Sequence, residues 1–194
     1  MIEVALESGF DAYGIEFSEP AIKAASAEVQ KRIYRNDIND FDNLKLGTFD
    51  IITAFDILEH TQDPVACLRK WAESLNRGGI LVLSTPDTDH YLRTILGRKW
   101  PMLAPFQHTF LFSGSRFGDV FSSAGLKPVT VVSAEKIMTL KYLLGQVEIH
   151  LPAASRLGRS VGKLIPGLMK KPIPFKIGEF LAVGRKEEST GIEN

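Results

Sequence analysis

Apolar positions in the first two thirds of the chain switch repeatedly between the two-residue period of strands and the three-to-four-residue period of helices. In DAYGIEFS (11–18), Tyr13, Ile15 and Phe17 share one face, which predicts a short strand. Ser18 can cap the next segment, Pro20 is tolerated in a first helical turn, and AIKAASAEV continues as a helix. FDIITAFDIL (49–58) is a nearly continuous apolar run and predicts a strand buried on both faces. Asp63-Pro64 opens a helix with Leu68, Trp71 and Leu75 on one stripe, and Gly78-Gly79 is expected to close it. GGILVLSTP (78–86) predicts another buried strand, and Ser113 can cap a helix through Ala124. LKPVTVVSA (126–134) and KIGEFLAVGRK (176–186) predict the last two strands.

Strands separated by helices imply an α/β fold with a doubly wound, mostly parallel sheet and right-handed crossovers. The final two strands lack a helix rhythm between them, so an antiparallel pair is expected at the C-terminal end. The segment 137–175 breaks the pattern with four prolines and basic residues among apolar ones. It reads as a basic amphipathic insertion between those strands, carrying one or two helices. Tyr13, Trp71, Phe117 and Phe121 are expected in the core.

Composition narrows the class. The 194 residues suit a single domain spanning 1–194, and 44% apolar with 24% charged residues excludes a disordered or fibrous chain. A lone Cys67 excludes a disulfide scaffold and fits a reducing, cytoplasmic compartment. No apolar run approaches the roughly 20 residues that cross a bilayer, and the start is unlike a signal peptide. The net charge of zero argues against a nucleic-acid partner, but it is a sum of unlike parts. Residues 1–135 hold 13 basic and 18 acidic side chains, whereas residues 136–194 hold 10 basic and 5 acidic ones.

Ligands of an open parallel sheet bind at the carboxyl ends of its strands. Glu16 ends the GIEF strand, where a carboxylate either accepts hydrogen bonds from vicinal ribose hydroxyls or faces water. Asp37 follows a further short strand, where it can meet an adenine amino group or, with Asp40 and Asp42, belong to a solvated loop. AFDILEHTQDP (54–64) runs from a strand into Asp56, Glu59 and His60 before a capped helix. His60 is either a general base or a residue that holds a loop. The four histidines and one cysteine have no zinc-ligand spacing, so no metal is expected.

GIEFSEPAIKAA, NDI, FDIITAFDILEHTQDP and LNRGGILVLSTPD, in this order, resemble the nucleotide-side motifs of class I S-adenosylmethionine-dependent methyltransferases. RTILGRKWPML, QHTFLFS and the helix to AGLKPV are similar to a small-molecule branch linked to cell-envelope sugar or quinone metabolism. The resemblance implies a Rossmann-like sheet and S-adenosylmethionine as cofactor. It places Glu16 and Phe17 at the ribose, Asp37 and Ile38 beside the adenine, and Phe55 and Asp56 along the cofactor. Glu59 and His60 would stand at the lip, and His108 would face the substrate. His60 and His108 are then the candidate catalytic bases for an O or N acceptor, with Trp100 and Phe106 as candidate pocket walls. A small-molecule or lipid- or sugar-linked acceptor is implied, and 136–176 becomes a candidate for peripheral membrane contact.

The family also begins with a strand and a glycine-rich turn that cradles the cofactor's amino-acid end. MIEVALESGFDAYGIEF matches the helix after that turn, so the first strand and its loop are expected to be missing from this sequence. Two alternatives stay open: a non-catalytic methyltransferase-like remnant or binding domain unable to hold the cofactor, and a nicotinamide-dependent oxidoreductase. The latter shares the ribose carboxylate but does not account for FDILEHTQDP.

Overall fold

The computed structural model describes residues 1–38, 47–104, 106–142, 145 and 166–187, in two compact units, Met1–Gly47 and Thr48–Asn194. The first unit runs α1 (Ile2–Glu7), β1 (Gly14–Ile15), α2 (Glu19–Ala24), α3 (Ala27–Gln30) and β2 (Ile33–Tyr34). The Ser18 hydroxyl accepts from the Ala21 amide at 3.4 Å and so caps α2, as its place in the sequence predicts. β1 and β2 pair in parallel, Gly14 beside Ile33. The ladder covers two residues of the expected strand 11–18, and Tyr13 is exposed rather than in the core. Its ring leans on Tyr34, with centroids 6.3 Å apart, and carries the Arg32 guanidinium over its face at 5.3 Å.

The second unit is built on β3 (Phe49–Phe55), α4 (Pro64–Glu73), β4 (Leu75–Pro86), α5 (Tyr91–Leu96), α6 (Phe117–Ser123), β5 (Leu126–Ser133), β6 (Lys136–Thr139), β7 (Pro172–Phe175) and β8 (Glu179–Lys186). Its main sheet has the order β3-β4-β8-β5; β3 and β4 are parallel, and β8 is antiparallel to both neighbours. The expected antiparallel pair is therefore present, with β8 against β4 and β5 outermost. Leu68 and Trp71 of α4, Phe117 and Phe121 of α6, and Leu81, Leu83, Phe180 and Ala182 of the sheet are buried together. Phe117 is the hub, 4.9 Å from Phe121 and 4.8 Å from Phe180 between ring centroids.

Three local expectations change. Among the described residues β3 pairs with β4 alone, and Ala54 is its one buried residue, where the apolar run predicts burial on both faces. Gly78-Gly79 does not close α4, which ends at Glu73. The pair lies inside β4, where the register against β3 shifts between Phe49 and Ile51. A side chain at Gly79 would meet the Asn76 carbonyl at 2.9 Å, so a bulge there requires glycine. Ser113 precedes a 3-10 turn (Gly114–Arg116) that leads into α6, and its hydroxyl donates to Asp89 rather than capping the helix.

The two ends of the 137–175 insertion pair with each other as the antiparallel ribbon β6–β7, Lys136 beside Phe175 and Thr139 beside Pro172. Most of the amphipathic segment assigned to membrane contact lies outside the described residues, as do Asp40 and Asp42. No described helix is long and apolar enough to cross a membrane.

Candidate functional site

β3 delivers the chain to Asp56, the single non-glycine residue with positive φ among the described ones, at +53°. Left-handed backbone is costly for a residue with a Cβ and persists where its surroundings enforce it. Here the Asp56 amide donates to the Ser84 carbonyl at 3.0 Å, and Oδ1 accepts from the Ser84 hydroxyl at 3.0 Å. The bend feeds a 3-10 turn, Leu58–His60, which presents Glu59 and His60 on adjacent positions. The Thr61 hydroxyl closes the turn on the Leu58 carbonyl at 2.8 Å, and Asp63 caps α4 through the Ala66 amide at 2.9 Å.

A distant loop is docked on that turn. The Glu59 carbonyl accepts from the amides of Thr109, at 2.8 Å, and Phe110, at 3.2 Å. His60 Nδ1 lies 2.6 Å from the Gln107 carbonyl, and His108 Nδ1 lies 2.7 Å from the Met102 carbonyl. A carbonyl only accepts, so each Nδ1 carries a proton and donates, and Nε2 is the lone-pair atom of the neutral ring. The two rings meet edge to face with centroids 5.0 Å apart. Glu59 is 1% exposed, and its Oε2 accepts from the Thr85 hydroxyl at 2.9 Å. Burial pushes the Glu59 carboxyl above the ordinary range, against the pull of its hydrogen bonds.

Beside this cluster, Lys136 Nζ donates to Asp56 Oδ2 at 2.8 Å and to Glu179 Oε1 at 2.6 Å. Burial opposes the Lys136 ammonium, but the two carboxylates outweigh it and raise its pKa. Burial likewise pushes the Glu179 carboxyl up, against Lys136. Two buried side-chain polar atoms lack a partner among the described residues, Glu179 Oε2 and Trp100 Nε1.

The fold thus brings Asp56, Glu59, His60 and His108 together at the carboxyl end of β3. Phe55 ends the strand, partly exposed. Trp100 is fully buried and Phe106 fully exposed, so the pair does not form the expected pocket wall. Trp100 instead packs on Gly178, whose φ of +103° and lack of a side chain admit the indole. Lys136 and Glu179 carry no motif around them, and neither is singled out by the sequence; the one cue is a lone carboxylate heading the apolar strand EFLAV.

Glu16 and Asp37 sit in the first unit, at the carboxyl ends of β1 and β2. Glu16 is half-buried, and its Oε1 accepts from the Ser18 amide at 2.7 Å. Phe17 is exposed, Ile38 is half-buried, and the Asp37 amide donates to Asn36 Oδ1 at 2.9 Å.

Comparison with known proteins adds a family. The family model for a methyltransferase domain matches residues 1–131. A ubiquinone biosynthesis O-methyltransferase of Nitrosospira multiformis is 28% identical over 156 residues, covering 74% of this chain and 65% of that protein. The chain therefore spans just under two thirds of that relative. Among solved structures, a SAM-dependent methyltransferase from Archaeoglobus fulgidus superposes with a TM-score of 0.59 at 15% identity, over 95% of this chain and 80% of that one. The cyclase SpnF superposes with a TM-score of 0.58 at 18% identity, over 95% and 70%.

Proposed function

The chain belongs to the methyltransferase-domain family, and on that premise we propose that it methylates a hydroxyl oxygen of a small-molecule acceptor, with S-adenosylmethionine as donor. The observation that carries this reading is the pair of imidazoles at the end of β3, each with Nδ1–H held by a backbone carbonyl and Nε2 left to accept a proton. The relative's name favours oxygen over nitrogen and an acceptor of the quinone-precursor kind, a hydroxylated aromatic ring. The fold alone does not decide the chemistry, since SpnF shares it as a cyclase.

The donor, when bound, supplies a sulfonium methyl group: the acceptor oxygen forms the new O–C bond as the S–C pair returns to sulfur. The chain's own residues do the rest. In the first unit, Glu16 would accept the ribose hydroxyls with Phe17 beside them, and Asp37 and Ile38 would border the adenine. In the second, the Phe55 ring and the main chain at Asp56 would line the cofactor, because the Asp56 carboxylate is already taken by Ser84 and Lys136. His60 or His108 would take the acceptor's hydroxyl proton at Nε2, with buried Glu59 beside His60 stabilising the imidazolium.

The test has two arms. Calorimetry with S-adenosylhomocysteine on the chain should show saturable binding that Glu16→Ala weakens by about 10-fold or more, the worth of a charge-assisted hydrogen bond. Transfer of labelled methyl to a dihydroxybenzoate should fall about 100-fold in His60→Ala or His108→Ala. Absence of both binding and transfer would instead support the non-catalytic remnant.

A further inference from the structure

We propose that Lys136 is a positioning residue for the cofactor: through the Asp56 carboxylate it sets the left-handed turn whose main chain borders the methyl donor. This role rests on the methyltransferase reading and adds to it a residue 80 positions away from that turn.

The turn is held from three strands. β4 supplies Ser84, whose carbonyl accepts from the Asp56 amide and whose hydroxyl donates to Oδ1, both at 3.0 Å. β6 supplies Lys136, which donates to Oδ2 at 2.8 Å. β8 supplies Glu179, which accepts from the same ammonium at 2.6 Å and so aims it. Glu179 is fixed in turn at the head of β8, opposite Pro86, and its carbonyl accepts from the Ala134 amide at 2.9 Å. Both carboxylate oxygens of Asp56 are thereby engaged.

Stability alone does not account for this arrangement. The Asp56 half of the bridge is 40% exposed, and an ion pair so open to water adds little. The Glu179 half buries a carboxylate whose Oε2 has no hydrogen-bond partner among the described residues. Well-packed apolar side chains commonly replace a buried ion pair without loss of stability. What they cannot do is hold a carboxylate oxygen in a chosen place. The oxygen held here belongs to Asp56, where the backbone is at φ +53°, and such a conformation persists only when its surroundings over-determine it.

The turn that follows has ties of its own. The Thr61 hydroxyl closes it on the Leu58 carbonyl, and the Thr109 and Phe110 amides dock on the Glu59 carbonyl. His60 and His108 therefore keep their places without Lys136. Asp56 does not, and in its absence only a fraction of the free chains holds the donor-binding geometry. Donor affinity falls by that fraction, whereas a bound donor restores the geometry and the transfer step with it.

The test separates this role from stability. Lys136→Met alone strands the buried Glu179 charge, so Glu179→Gln is added, and urea unfolding establishes that the double variant is as stable as the unmodified chain. In that variant, calorimetry should show S-adenosylhomocysteine bound about 10-fold more weakly. With dihydroxybenzoate as acceptor, KM for S-adenosylmethionine should rise by a similar factor while kcat changes less than about 3-fold. Lys136→Arg should keep the affinity, since a guanidinium can reach both carboxylates. Adding Asp56→Asn to the double variant should weaken binding no further, because the lysine acts through that carboxylate. Hydrogen exchange in the ligand-free double variant should quicken at the Asp56 amide and stay unchanged at Leu81 and Leu83 inside β4.

Unchanged affinity in the stable double variant, or an equal loss in Lys136→Arg, would overturn the positioning role and leave the reaction standing. Should the double variant not fold, Asp56→Asn alone decides. It breaks the same bond while Lys136 and Glu179 stay paired, so unchanged affinity there overturns the role equally. If the unmodified chain neither binds S-adenosylhomocysteine nor transfers methyl, the methyltransferase reading fails, and this role fails with it.

Discussion

Replacing Lys136 by Met removes the ammonium that Asp56 and Glu179 share and leaves a chain of similar length in its place. Removing one partner of a fully buried ion pair costs about 3–5 kcal/mol, because the other charge stays behind without compensation. The Asp56 end of this bridge is 40% exposed, so water can take over most of that half, and an exposed pair is worth about 0–1 kcal/mol. The Glu179 end is 3% exposed and has no such relief. The expected loss is therefore about 2–3 kcal/mol at pH 8, close to a 1 M drop in the urea midpoint for a slope of about 2–3 kcal/mol/M.

The deficit should shrink on acidification. Burial already holds the Glu179 carboxyl above its ordinary range, Asp56 and Glu59 push it the same way, and Lys136 is what lowers it. Without Lys136 it rises further. A carboxyl whose folded pKa exceeds the unfolded one contributes stability below the unfolded value and loses it as pH rises through the folded value. Lys136→Met should thus approach the wild type as the pH falls from 8 toward 5, and adding Glu179→Gln should recover most of the loss at pH 8. Urea unfolding followed by fluorescence reads this directly, since both tryptophans, Trp71 and Trp100, lie in the same unit as the bridge. A loss under about 0.5 kcal/mol at pH 8, or a deficit that grows with acid, would refute the reasoning.

Two further outcomes are expected. Gly178→Ala places a methyl group 3.0 Å from Trp100 Cζ2 on a backbone with φ of +103°, so about 2 kcal/mol or more of stability should be lost, seen as a lower urea midpoint. The Cys67 thiol is pushed up to about 12 by burial, so the native chain should resist a thiol reagent at pH 8 and react at once in urea; rapid native labelling would contradict its placement.

What could be read from the sequence was what lies contiguous in it. AFDILEHTQDP carries a strand end, a turn and a capped helix in one stretch, so local rules alone assign Asp56, Glu59 and His60 a shared place. His108 entered through the resemblance of QHTFLFS, since nothing local shows that its loop folds back on Glu59. Lys136 reaches Asp56 from 80 positions away, and Glu179 arrives by the register of the last strand, so neither leaves a local trace. The exposure along β3 has the same origin: a continuous apolar run shows that a strand is wanted, not how much of it is covered. Gly78-Gly79 misled because two glycines serve a helix end and a bulge equally well.

The position of β8 has a consequence for how the chain is made. It is the last described strand to be synthesised, and it is an inner strand of the sheet, joining β4 on one side and β5 on the other, with Ile80 beside Arg185 and Leu126 beside Lys186. Until residues 179–186 leave the ribosome, β4 and β5 have no common neighbour, and Lys136 lacks one of its two carboxylates. The sheet that supports the β3 turn is therefore completed after synthesis has passed residue 186, through contacts of long sequence separation that close slowly. A nascent chain stopped before that point would expose the apolar edge of β4, the kind of unpaired edge that chaperones shield and that aggregates when they do not.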